Sequence, residues 1–345
     1  MATLIDVALE AGVSKATASR VLNNTKGPIT ISPHTKAKVL AAAKKLNYSP
    51  NISARRLAAK KSYVIGAVIP SYTHFRGRIK SNILEGLGQT LGENGYSLQL
   101  VNAAAGKEVE SHLQTLTVGK HVDGLVLWLP VKHSFCQFLL DEKVPHCHIQ
   151  TFPSLEQCSA VHVDNQGGAY AASEYLIKKG HRQIGFIVDQ DEMQGQMRLR
   201  GYREALAANG IPFDPTLIIE GRYRGSADIY NLDLEAFWDV IPRCTALFST
   251  SDLLAIVASS ILQKSGYEIG PFKESTVSPS KRLRSIVGFD GQDVGEFVHP
   301  PLSTVVQDGH ALGRSAARKL LAQLNGEDTA GTEIIETSLV IRGSS

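Results

Sequence analysis

Residues 15–20, KATASR, bring together the side chains that reading a DNA groove requires. An arginine fork can take both acceptors of a guanine edge. A lysine can reach a guanine or a phosphate, and an alanine permits close approach or contact with a thymine methyl. On a helical wheel of ~100° per residue, Lys15, Ala16, Ser19 and Arg20 share an arc of about 140°, with Ala18, Val21 and Leu22 opposite as an apolar stripe. Base contacts are therefore expected from Lys15, Ala16 and Arg20. Phosphate contacts, which position rather than specify, are expected from Thr17 and Ser19. The competing reading is a solvated helix face that carries two ordinary cations.

These side chains need a scaffold, and the flanking residues signal one. Thr3 and Asp6 have capping-box spacing, so a helix should start near Leu4 and stop at Ala11-Gly12. Ser14 can cap a second helix to about Leu22, and Ser32 with Pro33 opens a third to about Leu46. Two short helices joined by a glycine turn, with a third behind them, read as a helix-turn-helix. Residues 49–62, SPNISARRLAAKKS, follow. Here Arg55, Arg56, Lys60 and Lys61 surround Leu57. The composition fits a short helix that forms on DNA, with Arg55 and Arg56 on phosphates and Leu57 wedged into the minor groove. It also fits a basic linker.

Charge separates this region from the rest. The 345-residue chain has a net charge of +3, but residues 1–62 carry eleven Lys/Arg against two acids, or +9, and the remainder carries −6. A basic module on an acidic body implies a polyanionic partner for the module alone. No apolar run approaches the ~20 residues that span a bilayer. The N-terminus lacks a basic start followed by an apolar core, so no signal peptide is read and a cytoplasmic protein is expected. Cys136, Cys147, Cys158 and Cys244 form no CxxC pair and are read as reduced core thiols. His146, Cys147 and His148 lie in an expected strand, where alternation splits the side chains between faces, so no metal site is expected there. The sequence lacks GxxxxGK[ST], GxGxxG, HExxH and GxSxG, and neither an enzyme nor a cofactor is expected.

From Tyr63 onward, apolar runs alternate with helical segments. YVIGAVIP, SLQLVNA, GLVLWLP and HCHIQ are strand candidates, followed by AVHVD, QIGFIVD, LIIEG, ALFST and SIVGFD. Helices are expected between them, including 81–94, 170–179 and 199–209. Such alternation implies parallel α/β architecture, and two sheets imply a cleft with ligand outside the carboxyl ends of the strands. GPFKESTVSPSKRLRS, residues 270–285, reads as a Ser/Pro-rich surface loop or, alternatively, a partner contact.

TLIDVALEAGVSKATASRVLNN and NYSPNISARRL resemble the helix-turn-helix and hinge of the lactose-repressor (LacI/GalR) family. GHRQIGFI, MRLRGYREAL, VGFDG and PPLSTVVQD resemble its effector domain, so the likeness covers nearly the whole chain. It implies an all-α headpiece with hinge, followed by an α/β periplasmic-binding-protein-like domain of two parallel-sheet subdomains. The implied divisions are residues 1–48 for the headpiece and 49–62 for the hinge. Residues 63–161 with 291–324 form one subdomain, and 162–290 with 325–345 the other. The resemblance makes Lys15, Ala16 and Arg20 base readers and Leu57 the hinge wedge of a pseudo-palindromic operator. Ala18 departs from the usual valine. In the effector domain it points to Arg198 and Asp290, whose fork and carboxylate suit neighbouring sugar hydroxyls. An ion pair between subdomains is the alternative. Phe75, Phe152 and Tyr223 lie at or beyond strand ends and can wall a ligand or pack in the core. Ser251 stands where many relatives carry Asn, and Gly309 where some carry a cleft aromatic. The expected protein is a homodimeric, operator-binding repressor controlled by a small molecule, most simply a carbohydrate. It is expected to bind no membrane and, with no heptad tail, to form no tetramer. A nucleoside- or purine-responsive regulator and a sugar-binding protein with an incidental basic N-terminus are the alternatives.

Overall fold

The computed structural model describes residues 2–22, 30–48, 61–69, 78–103, 109–188, 193–224, 229–271 and 283–345, with backbone alone at 222–224, 229–231 and 283. The chain divides into two units, residues 1–63 with 120–122, and residues 64–119 with 123–345. In the first unit, Thr3 caps α1 (Leu4–Glu10) with both halves of the capping box in place. The Ser14 hydroxyl accepts from the Thr17 N–H at 3.1 Å at the start of α2 (Lys15–Leu22). Ser32 caps α3 (Pro33–Lys45), with Pro33 in the first turn. Val7, Ala8, Ala11, Ala18, Val39, Ala42 and Ala43 are the buried core of this unit.

The second unit holds two sheets. The first contains β1 (Val64–Ile69), β2 (Ser97–Asn102), β3 (Gly124–Leu127), β4 (His146–Ile149) and β5 (Ser159–Val163). It is completed by β13 (Gly331–Ile335), in the order β13-β5-β4-β3-β1-β2, parallel throughout. The helices α4 (Arg78–Glu93), α5 (Val109–Val118) and α6 (His133–Asp141) connect its strands. The second sheet contains β6 (Ile184–Val188), β7 (Ile218–Arg224), β8 (Ile229–Leu232), β9 (Ala246–Ser249), β11 (Leu283–Asp290), β12 (Ser303–Gln307) and β14 (Thr337–Val340). Its order is β14-β12-β11-β9-β6-β7-β8, with the short β10 (Glu268–Ile269) beside β11 and antiparallel pairs at both edges. Its helices are α7 (Asn165–Lys178), α8 (Met193–Ala208), α9 (Leu234–Val240), α10 (Asp252–Lys264) and the one-turn α11 (Val294–Phe297). The last helix, α12 (Gly309–Leu324), packs on α4.

The chain therefore changes sheets at Asp164, Asp308 and Glu336. The sequence reading placed these crossings near residues 161, 290 and 324. The second falls later because β12 pairs with β11 in the same sheet, reached by a twelve-residue crossover, about the shortest that joins parallel strands. The third falls later because β13 pairs with β5 of the first sheet. Three helices also begin earlier than expected. The helix expected over 170–179 starts at Asn165, because Asp164 caps α7 there by accepting from the Gly167 N–H at 2.7 Å. Residues 283 and 284, expected at the end of a surface loop, extend the strand expected from Ser285, so β11 starts at Leu283 and Ser285 pairs with Ala246. The rest of that segment, 272–282, lies outside the described residues.

Candidate functional site

Capping fixes which way α2 faces. Lys15 and Ala16 are exposed in its first turn, Ser19 and Arg20 are half-buried, and Ala18 is fully buried. The Thr17 hydroxyl lies 2.9 Å from that of Ser14, so its first bond belongs to the cap, and a phosphate contact has to share it. Ala18 faces a core built largely from other alanines, which is where the small side chain at this position fits. Arg55, Arg56 and Leu57 lie outside the described residues.

The second cluster forms where the strands of the two sheets end. Arg198, on the second turn of α8, is 8% exposed. Its Nε donates to Asn165 Oδ1 at 2.8 Å, and its Nη1 donates to the Thr250 carbonyl just beyond β9. The same Nη1 lies 3.6 Å from Asp290 Oδ1 at the end of β11, and the guanidinium stacks 3.8 Å above the Phe289 ring. Gln307, ending β12, donates to Asp290 Oδ1 at 2.7 Å. Gln150, just beyond β4 of the other sheet, donates to Gln307 Oε1 at 2.9 Å, and Gln194 donates to the Gln150 carbonyl at 2.5 Å. One chain of polar contacts thus runs from Gln194 and Gln150 through Gln307 and Asp290 to Arg198 and Asn165. Gln150 and Asp290 both hold positive φ, 53° and 122°. Such backbone costs on the order of 1–3 kcal/mol and collects at ligand sites.

Behind Asp290 lies Asp252, fully buried at the start of α10. It accepts from the Thr304 hydroxyl at 2.5 Å and the Gln292 N–H at 2.6 Å. Burial, and secondly the Asp290 charge, push its carboxyl up to about 7.

Of the residues expected to bind ligand, the structure thus joins Arg198 and Asp290. Ser251 adjoins Thr250 at the start of α10 and makes no capping bond with its side chain. Phe152 stacks on His162 of β5 at 4.1 Å, against the first sheet. Trp128 is buried in the core of that sheet. Tyr223 lies on β7 opposite Tyr230, with only its backbone described, and Phe75 lies outside the described residues. Sequence reasoning missed Gln150, Gln194, Gln307, Asn165 and Asp252. The usable signal was position, since Gln150, Asn165, Asp252 and Gln307 all stand at or just past the carboxyl end of a strand.

Residues 3–51 match the bacterial regulatory proteins, lacI family, and residues 173–345 match the periplasmic binding protein-like domain. The HTH-type transcriptional regulator CelR of Thermobifida fusca is 34% identical, over 99% of this chain and 98% of its own. The HTH-type transcriptional repressor CytR of Escherichia coli K12 is 31% identical, over 99% and 96%. Among solved structures, a transcriptional regulator CelR–cellobiose complex superposes with a TM-score of 0.69 at 32% identity, covering all of both chains. The lac repressor dimer bound to operator and the anti-inducer ONPF gives 0.75 at 25% identity, covering 99% and 98%.

Proposed function

This chain belongs to the LacI family of bacterial transcriptional regulators, and on that premise we propose that it is a cytoplasmic repressor whose operator affinity is set by a sugar in the cleft. The observation that carries the ligand reading is the pairing of buried Arg198 with half-buried Asp290 at the strand ends, extended by side-chain amides from both sheets. A sugar hydroxyl both donates and accepts. The wall formed by a guanidinium, a carboxylate and the amides of Gln150, Gln194, Gln307 and Asn165 offers both roles. These groups are bonded to one another. A sugar exchanges those bonds for its own, and because the contacts come from both sheets, binding couples to their separation. CelR, a full-length relative, is known in complex with cellobiose, which makes that disaccharide the first probe.

At the other end of the chain, Lys15, Ala16 and Arg20 read bases in the major groove. Ser19, Thr17, Arg55 and Arg56 hold phosphates, and Leu57 enters the minor groove. The related lac repressor is a dimer on its operator. The same arrangement here sets two headpieces on half-sites of a pseudo-palindrome.

Two experiments test this reading. Inverted repeats selected from a random library should bind in a salt-dependent manner that survives competitor DNA. Arg20→Ala should cost about 1–3 kcal/mol and relax one half-site position; unchanged affinity and preference would remove Arg20 from base reading. A thermal-shift panel of cellobiose, other disaccharides, sugar phosphates and nucleosides should give one class of hit that Arg198→Ala loses. A hit of undiminished stabilisation in that variant would take Arg198 out of the ligand site, and a nucleoside hit alone would overturn the sugar assignment.

A further inference from the structure

Away from the strand-end cluster, three ligand-type side chains converge inside the first sheet's layer. Cys136 comes from α6, His148 from β4 and Cys158 from the segment before β5, and all three are buried. Their sulfur and ring-nitrogen atoms lie within 4.8 Å of one another. The grouping is tertiary. Strand alternation excludes a site made of His146, Cys147 and His148 together, and it leaves His148 on the face opposite Cys147, where α6 and the later segment supply the sulfurs.

We propose that Cys136, His148 and Cys158 form a Zn²⁺ site that staples the 150–158 segment to the first sheet and to α6.

Three points mutually within 4.8 Å share a point no more than about 2.8 Å from each. Zinc bonds to sulfur at about 2.3 Å and to nitrogen at about 2.0–2.1 Å, so the set closes on an ion with a contraction of roughly half an ångström per ligand. Among the described residues, His148 Nε2 is a buried nitrogen with no hydrogen-bond partner. The other nitrogen, Nδ1, lies 3.5 Å from the Thr151 hydroxyl. A proton shared on that side leaves the Nε2 lone pair for a metal, the arrangement that holds most ligating histidines. Two sulfurs and one imidazole are a soft donor set, suited to Zn²⁺ and unsuited to Mg²⁺ or Ca²⁺. Binding displaces one proton from each thiol to solvent, with no change of oxidation state. The two thiolates cancel the charge of Zn²⁺, so the buried ensemble stays neutral; a monovalent ion would leave a net negative charge in the core.

The placement gives the site a use. His148 and Cys158 lie at opposite ends of the segment that starts with Gln150 and carries Phe152. The Gln150 side chain is bonded to Gln307 and its carbonyl to Gln194. An ion across the base of the segment fixes its two ends and so holds Gln150 in place.

The test uses the full chain, purified under reducing conditions, stripped with chelator and without a histidine tag. Titration with Co²⁺ should develop a thiolate-to-cobalt charge-transfer band that saturates stoichiometrically and is displaced by Zn²⁺, with protons released. Cys136→Ser and Cys158→Ser should each lose the band and weaken Zn²⁺ binding by at least about 100-fold. Cys244→Ser, altering the buried cysteine of the second sheet, should keep both. Because a buried cysteine variant can fold poorly, the wild-type titration also decides alone. No thiolate band in the folded chain overturns the site. So does a band that survives in folded Cys158→Ser, or a Cys136–Cys158 disulfide that forms in air in place of metal uptake.

Discussion

Arg198 and Asp290 are charged residues held by partners on several elements, and their environments differ. The guanidinium has a carboxylate, an amide, a carbonyl and an aromatic face around it. Asp290 has a second carboxylate, Asp252, behind it. Removing one member of such a set leaves the others buried and unpaired, so Arg198→Ala should lower stability by about 3 kcal/mol or more even without ligand, read by urea unfolding. Asp252 makes a pH prediction. Its folded-state carboxyl sits near 7, above the ordinary value of 3.8, so the native protein holds a proton that the unfolded chain releases. The contribution is fully present below about pH 4 and is lost as pH rises through about 7. Unfolding free energy should therefore fall over this window by up to a few kcal/mol, and Asp252→Asn should flatten the slope. An identical pH profile in the two proteins would remove Asp252 as its source. At this scale the sequence was legible where a charged side chain stood in a recognisable motif, as with Arg198 and Asp290, which the structure brings together. It was silent on Gln150, Gln194 and Gln307, because an amide becomes informative only once the sheets bring its partner within reach.

Helices were read well where caps and apolar spacing agreed, and less well where close packing demanded small residues. The headpiece shows the first case: Thr3, Ser14 and Ser32 cap the helices that their spacing predicts. The second case is α4 against α12. A side chain at Gly86 would strike the His310 backbone carbonyl and Gly313 has the same relation to Ile83, whereas Gly88 faces open space. Gly86→Ala should thus destabilise by about 1–3 kcal/mol by forcing the helices apart. Gly88→Ala should stabilise by about 0.5–1 kcal/mol, since alanine restricts the unfolded chain at a helical position. Chemical denaturation of both variants checks the pair, and equal effects would contradict the packing argument. The same logic applies to α7. Gly168 leaves room for Thr337, Val305 and Phe289 and so lets the helix seat against the sheet.

At the scale of the molecule, the α/β class and the basic module were legible from hydrophobic periodicity and charge. The crossings were not. β13 and β14 are separated by Glu336 alone yet join different sheets, and only long-range pairing with β5 and β12 separates them. Those crossings matter for function because the strand-end contacts come from both sheets, while the DNA-reading residues are at the other end of the chain. If the cleft controls the operator, the coupling must be reciprocal, typically 5- to 150-fold. The most direct measurement is a pair of titrations on one protein preparation. Operator affinity is read by anisotropy with and without saturating cellobiose, or whichever sugar the thermal panel selects. The affinity for that sugar is then read with and without saturating operator. The account predicts that both affinities change by the same factor, at least about fivefold, and that Arg198→Ala abolishes the change while preserving operator binding. Sugar binding that leaves operator affinity untouched would contradict it.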